Sequence, residues 1–436
     1  MMLYILLLLS ISSWLFVGLL VLNFLRLLKK FSILELLSLA YGLGIGCVAM
    51  QMFMYSRIGI SFNFLAIIAP WCLLYAFRPF SLSPTIRLPK FGKIESVLLF
   101  SILLLSIFVG FEALVRPLVS WDGIATWLIK SKAFFIEGGV KPQTLIYLND
   151  GYPLLMGLAG AFVYSTLGVV NDRLVLILFY GFYLAAGGVV YSQLRKLLNF
   201  RYSLFLTFLF LSTQNIIRHG GRYEAGYVDL AFGFYLLSAV VIFTRVLNEK
   251  KLNMFVLFML FLGIIPLVKE EGVAFSIIMS FVVLYFVMKK SLPARFLYVL
   301  FLWILPFFDW RLYKFFYHIP TNYLFKNPQL IPDRFPITLQ LIVKEFFNIK
   351  NWNLLWMSYI ASLFLMARKR EHFIISFVII AMIISYIVAY LISPNDPANH
   401  VPNTIDRLLL HFAPLGMVSI GFALANLKIG VKTRVS

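Results

Sequence analysis

Cysteine is almost missing from this chain: Cys47 and Cys72 are the only two in 436 residues, and both sit inside apolar runs. A disulfide framework and a cysteine-ligated metal site are therefore excluded. Charge is scarce as well, at 13% of residues, and acids are the scarcer sign, 18 against 38 Lys and Arg. The formal charge of +20 does not mark a nucleic-acid binder. The basic residues punctuate apolar runs and do not gather on a solvated domain. HExxH, Walker A, CxxC and Gly-rich dinucleotide motifs are all absent, which removes the zinc-protease, nucleotide and dithiol readings. The five histidines, His219, His318, His372, His400 and His411, are scattered without metal-ligand spacing.

Apolar sequence fills the chain: 61% hydrophobic residues, 45 Phe, 22 Tyr and a mean hydropathy of +0.91. Runs near or above roughly 18 apolar residues mark membrane-spanning helices. Backbone groups in lipid must be satisfied internally, and these runs are too long for barrel strands. The expected fold is an all-α polytopic membrane protein with about 13 transmembrane helices. They fall near 2–25, 33–54, 62–77, 95–115, 173–194, 203–217, 226–247, 252–268, 272–288, 296–312, 352–366, 372–392 and 408–425. The first run lacks a basic n-region and exceeds a signal-peptide h-region, so it reads as a retained span. Residues 1–94 read as an N-terminal three-span addition, and 95–436 as the body that carries the chemistry.

Sidedness turns on Tyr152–Leu167, apolar but short and interrupted by Gly157, Gly160, Ser165 and Thr166. If it does not cross, the inner loops collect 21 basic residues, among them Arg87, Lys90, Arg368, Lys432 and Arg434. Only four acids join them: Glu35, Glu95, Glu249 and Glu371. The outer side then holds 16 basic and 14 acidic residues, with Arg245 left inside a span. The positive-inside rule favours this arrangement. It places the N-terminus outside, the C-terminus in the cytoplasm, and Tyr152–Leu167 as a helix lying in the outer interface. Long loops at 116–172 and 313–351 then face outward, the first carrying juxtamembrane helices.

Ionisable groups are expensive near a bilayer, at roughly 2.5–3.5 kcal/mol each at a helix centre, so their placement is informative. Glu112, Asp229, Lys269, Glu270, Glu271, Asp309 and Arg407 all fall at outer ends of spans. In SWDGIATWLIKSKAFF a helix from Gly123 would stack Asp122, Thr126 and Lys130. Asp122 there either accepts a proton from an attacking hydroxyl or caps the helix. Asp229, in RHGGRYEAGYVDL, either serves substrate or pairs with the flanking Arg218 and Arg222. KEEG at 269–272 is either a solvated turn or part of a site that includes Glu271. Glu112 and Arg116, four apart, read as a helical ion pair. The planar fork of Arg407 suits a lipid phosphate, with Lys130, Lys132 and Arg173 as further cations. Asp122 and Asp229 together could hold a loosely bound divalent cation; no other cofactor is expected.

In order and sidedness these segments resemble the type C membrane glycosyltransferase superfamily, which includes protein mannosyltransferases and lipid A aminoarabinose transferases. The resemblance runs from about Leu88 to Pro414. A span precedes a long outer loop with an early Asp, here WDG with Asp122. A Pro-introduced helix follows, here GYPLL with Tyr152 and Pro153, then Arg173 opening the next span. A second acid comes after an outer turn, here GYVDL with Asp229; KEEG and DRLLLHFAP also resemble bacterial members. Two features depart from the pattern. Asn149 and Asp150 replace a frequent His-Pro pair, and no second acid stands beside Asp122.

The resemblance implies transfer of a sugar from a polyprenyl-phosphate donor to a lipid or glycan acceptor at the outer face of the membrane. Asp122 would then be the general base and Asp229 would position donor or acceptor. Arg407, Lys130 and Arg173 would hold the lipid phosphate, with Lys132, Tyr152, Arg222 and Glu271 as further substrate contacts. A rival reading is an O-antigen ligase or polymerase, using His318, Lys326, Arg334 and Lys344 of the second long loop. Another is a transporter or flippase, for which charges crowded at the outer edge and the lack of a repeat are unfavourable.

Overall fold

Helix is the structure this sequence takes almost throughout: 80% is helical, and no strand forms among the described residues. The computed structural model describes residues 1–80, 92–148, 151–320, 331–365 and 369–429. Arg87, Leu88, Lys90, Asn149, Asp150, Lys326, Arg368, Lys432 and Arg434 lie outside them.

The chain opens with α1 (Met2–Phe24), α2 (Ile33–Ile58), α3 (Phe64–Phe77) and α4 (Lys93–Val115). A π-helical turn, Gly123–Trp127, then leads into α5 (Leu128–Ile136), α6 (Pro142–Tyr147) and α7 (Leu155–Leu167). Next come α8 (Ile177–Leu197), α9 (Phe200–Leu211), α10 (Gln214–Gly221) and α11 (Asp229–Glu249). The Lys269–Glu270 turn joins α12 (Leu252–Val268) to α13 (Glu271–Met288), before α14 (Leu297–Leu300) and α15 (Ile304–Phe316). The last third holds α16 (Phe335–Phe346), α17 (Ile349–Trp352), α18 (Leu355–Phe364) and α19 (Arg370–Ile392). It ends with α20 (Pro397–His400), α21 (Ile405–Leu410) and α22 (Ala413–Asn426). Short polar side chains start several of these helices by accepting from free backbone N–H groups. Ser32 does so for α2, Asn63 for α3 and Asn199 for α9.

Eight helices among the described residues are long and apolar enough to cross a bilayer, and six other apolar helices have 10–17 residues. Most of the expected segments lie on one of these helices, but 203–217 crosses a break between α9 and α10, and 408–425 one between α21 and α22. Burial orders them: 89% of the α11 window is covered by protein, against 17% for α4. So α11 runs through the centre of the bundle. α4 turns Phe100, Leu103, Ile107 and Phe111 outward, as a lipid-facing helix does.

One expectation needs correction. α7 was expected to lie in the outer interface, yet nearly all of its residues are buried, from Leu155 at 1% exposure to Phe162 and Tyr164 at 0%. It packs against α1, α2 and α5. Its apolarity serves protein contacts on every side, and it has no polar face to offer headgroups.

The bundle has polar clusters at opposite ends of α11. Asp229 begins the helix and Arg245 lies sixteen residues on, roughly 24 Å away at the helical rise. At the Arg245 end, Glu35 is fully buried and accepts from Arg245 at 2.6 Å, Gln193 at 2.7 Å and Lys196 at 3.1 Å. These bonds fasten α2 to α8 and α11. Tyr41 Oη–H donating to Leu178 O and Tyr235 Oη–H to Gly42 O tie the same helices at mid-height. Arg245, which the sequence leaves stranded in a span, is thus an anchor.

Candidate functional site

Two glycines bring the WDG and GYVDL segments together. A Cβ on Gly123 would lie 3.2 Å from the Cα of Gly226, and both positions press on Ser120. Gly226 has φ +110, which side chains rarely adopt. Ser120 Oγ–H donates to Ala225 O at 2.7 Å and locks the approach. As a result the π-helical turn after Asp122 rests against the turn that starts α11.

Asp229 is fully buried at that junction and saturated with donors. Lys269 Nζ stands 2.8 Å and His411 Nε2 3.0 Å from its Oδ1, while Arg407 Nε donates to Oδ2 at 2.9 Å. A buried carboxylate survives only with such partners, because desolvation alone costs several kcal/mol. Lys269 also meets Glu271 Oε1 at 3.2 Å. His411 receives a second bond at Nδ1, 2.7 Å from Tyr386 Oη. With Nε2–H aimed at the carboxylate, the Tyr386 hydroxyl is the donor on that side.

Arg407 is the hinge of the arrangement. Its Nη2 lies 2.6 Å from Asp122 Oδ2, and its guanidinium stacks 4.1 Å over the Tyr227 ring. The side chain of Asp122 keeps 30% exposure, whereas Asp229 has none. Arg407 and His411 stand four residues apart, so one helical face presents both to Asp229.

Further charged side chains flank this core. Arg218 pairs with Glu224 and lies 3.8 Å from Asp406. Burial pushes the Glu224 carboxyl up to about 7; Arg218 opposes this and Asp406 reinforces it. His219 is buried and, through desolvation, held down at about 3, so it stays neutral. Its Nδ1 contacts Asn215 O at 2.9 Å and Glu224 Oε2 at 3.1 Å. Its Nε2 makes no hydrogen bond and faces Asp229 Oδ2 at 3.9 Å. Burial lowers the Lys269 ammonium, but Asp229 and Glu271 outweigh this and raise it overall.

The expected residues divide into three groups. Asp122, Asp229, Arg407 and Glu271 meet, with Lys269 between the last acid and Asp229. Lys130 and Tyr152 lie together: the Lys130 ammonium is 4.8 Å from the Trp127 ring and 5.9 Å from that of Tyr152. The remaining three point elsewhere. Lys132 binds Asp172 at 2.8 Å, Arg222 binds Glu112 at 3.2 Å, and Arg173 is exposed beside Asn171. Glu112 pairs with Arg116 at 2.6 Å as its spacing predicts, and Asp309 pairs with Arg57 at 2.9 Å, apart from the core.

At two segments the structure departs from one of the two readings left open. Asp122 does not cap the helix after it. The π-helical turn shifts the register, so Lys130 is fully buried while Asp122 reaches the surface. KEEG is no solvated turn either, since Lys269 is 7% exposed and points inward. Sequence reasoning missed His411, His219, Tyr227 and Asp406. For His411 the spacing from Arg407 was a usable signal.

Two cavities adjoin this end of the bundle. One of about 500 Å³ is lined by Lys344, Glu345, Phe347, Asn348, Pro402 and Ile405, beside Asp406 and Arg407. The other, about 40 Å³, is a narrow apolar groove between α2, α7, α12 and α15, lined by Met50, Phe53, Leu155, Leu158, Leu267 and Trp310 among others. Among the described residues no three His, Cys, Asp or Glu side chains gather as a metal site. Compared with protein-family models, curated proteins and solved structures, the chain matches none of them.

Proposed function

We propose that this chain is a membrane glycosyltransferase that moves a sugar from a polyprenyl-phosphate donor to a hydroxyl of a lipid or glycan acceptor. The observation that carries the reading is the clasp of Arg407 on two carboxylates of unequal exposure. Asp229, buried and fully bonded, orients the guanidinium; Asp122, half-buried, keeps part of its carboxylate exposed. In the reaction the acceptor oxygen attacks the anomeric carbon and its proton passes to Asp122. The bond from that carbon to the phosphate oxygen breaks, and the electron pair leaves on the phosphate. Arg407, with Lys269 behind it, steadies that charge in a water-poor setting, so little acid assistance is needed. The apolar groove ending at Leu267, near Lys269, suits an isoprenoid chain.

The chain is read as crossing a cell membrane thirteen times, with α7 the apolar helix that does not cross. The N-terminus is outside, the C-terminus cytoplasmic, and the Asp229 end of α11 outward. The separation of the Asp229 and Arg245 clusters along α11 supports this sidedness. So does the Lys- and Arg-rich character of the Arg245 end.

Transfer from radiolabelled polyprenyl-phosphate sugars in membranes tests the proposal, comparing wild type with Asp122→Asn at matched expression. Loss of transfer in the variant is the expected result; equal transfer by both would remove Asp122 from the chemistry. A ligase or polymerase acting on envelope glycans is the second reading, favoured by the cavity between α16 and Ile405. It requires alanine at His318, Arg334 and Lys344 to matter more than at Asp122. Arg334 instead bonds Ser393 O and Asn395 O, away from Arg407.

A further inference from the structure

We propose that Arg116 and Arg222 hold the phosphate of a glycerophospholipid against the lipid-facing side of α4, apart from the Arg407 clasp. Two guanidiniums here share a single acid. Glu112 Oε2 accepts from Arg116 Nη2 at 2.6 Å and Nε at 2.9 Å, and from Arg222 Nε at 3.2 Å. Both guanidiniums also lie over one ring, that of Tyr223, at 4.6 and 4.7 Å from its centroid. Two cations on one carboxylate leave a unit of positive charge, and Glu224 and Asp406 are engaged with Arg218 instead. Arg222 Nη2 donates to Tyr223 Oη at 2.9 Å, but among the described residues the Nη1 group of neither arginine has a hydrogen-bond partner. Both side chains are partly exposed. A guanidinium with such a free edge matches phosphate oxygens.

The surroundings fit a lipid better than a free anion. α4 ends at Val115, so Arg116 stands just beyond its last apolar turn, at the level of headgroups. Leu104, Phe108, Phe111 and Val115 recur at helical spacing and are all exposed. From Leu104 to Val115 this stripe runs roughly 16 Å at the helical rise, close to half of the ~30 Å hydrocarbon core. An acyl chain of one leaflet lies along it when the phosphate sits at the two arginines. The Arg222 guanidinium is itself 5.4 Å over Phe108, at the edge of the stripe. The pair is also held in place. A Cβ on Gly221 would lie 2.4 Å from Val109 O, so α10 presses on α4 and sets Arg222 beside Arg116. The single surplus charge selects a monoanionic headgroup over a zwitterionic one. This inference needs α4 to face lipid and does not rest on sugar transfer.

Native mass spectrometry of the purified full-length chain, titrated with phosphatidylglycerol in detergent and without any sugar donor, tests the assignment. Failure of the glycosyltransferase reading would leave this readout untouched. Wild type should retain one phosphatidylglycerol at least about tenfold more tightly than phosphatidylcholine, and diacylglycerol should not compete. Arg116→Gln combined with Arg222→Gln should weaken that lipid at least about tenfold. Lys141→Gln, which removes an exposed cation elsewhere, should not. Unchanged retention by the folded double variant overturns the proposal, as does an equal loss in Lys141→Gln or equal affinity for the two phospholipids. Displacement of the lipid by millimolar inorganic phosphate would show an anion site without lipid specificity and overturn it too. If the double variant does not fold, adding Glu112→Gln removes the carboxylate left without partners; a triple variant that keeps the lipid overturns the proposal equally.

Discussion

Arg407 Nη2 lies 2.6 Å from Asp122 Oδ2, joining the first long loop to the segment that opens the last helices. Only a planar fork can hold this carboxylate and that of Asp229 together, the latter through Nε at 2.9 Å. A lysine offers one point charge and must let one partner go. Arg407→Lys should therefore lower transfer by about a hundredfold, the range for losing a preorganised donor at a developing negative charge. Initial rates at saturating and limiting donor would locate the defect; unchanged turnover would mean that Arg407 is only a brace.

Stability and activity should separate between the two aspartates. Removing the Asp229 charge leaves Lys269 with only Glu271 and Arg407 with only Asp122, and breaking a buried pair in this way typically costs about 3–5 kcal/mol. Asp122 is partly exposed, and its pairing contributes about 1 kcal/mol or less. Asp229→Asn should therefore sharply lower the unfolding temperature in detergent. Asp122→Asn should barely move it while abolishing transfer. Equal thermal losses in both variants would contradict the division of roles.

The contact between Gly123 and Gly226 gives a test of geometry away from the charges. A methyl group at Gly226 would sit 2.5 Å from Ser120 Oγ, on a backbone with φ +110. Gly226→Ala should cost on the order of 1–3 kcal/mol in backbone strain and push the Asp122 turn away from α11. Transfer should fall although no charged group has changed. Wild-type transfer in a stably folded Gly226→Ala protein would show that this approach is not needed.

The helices and the centre of the site were legible for different reasons. Hydropathy is local, so each apolar run announced its own helix, down to α9 and α12. What surrounds a run is not local. α7 looked interfacial because lipid and protein are equally apolar neighbours. Asp229 and Arg407 stood out because charge beside a membrane is costly. His219 and His411 did not, since a neutral histidine in an apolar run raises no alarm. Lys132, Arg173 and Arg222 were attractive as cations near an acidic pair, yet two of them are spent on Asp172 and Glu112. No spacing rule reveals such distant partners. KEEG misled because brief charged turns are usually solvated, and only the packed structure turns Lys269 inward.

Glu224 supplies the pH dependence. Burial, with help from Asp406 and Asp229, raises its folded carboxyl from 4.5 to about 7 against the pull of Arg218. A raised acid favours the folded state when protonated. The contribution is complete below about pH 4.5 and is lost as pH rises through about 7. His219 works the other way. Its folded value falls from 6.5 to about 3, chiefly by desolvation, so its contribution is present above 6.5 and lost as pH drops toward 3. Between 4.5 and 6.5 the two oppose each other; above 6.5 Glu224 acts alone of the pair. Asp406, also raised by burial, shares the sign of Glu224. Stability should therefore decline from pH 6.5 to 8, most steeply at the start and by less than about 1.4 kcal/mol per pH unit for one proton, and the unfolding temperature should follow it. Glu224→Gln should flatten that decline and let stability rise more steeply between pH 4.5 and 6.5, where His219 then acts unopposed. A wild-type curve that stays flat from pH 6.5 to 8 would mean that the Glu224 carboxylate is ionised and held by Arg218 throughout.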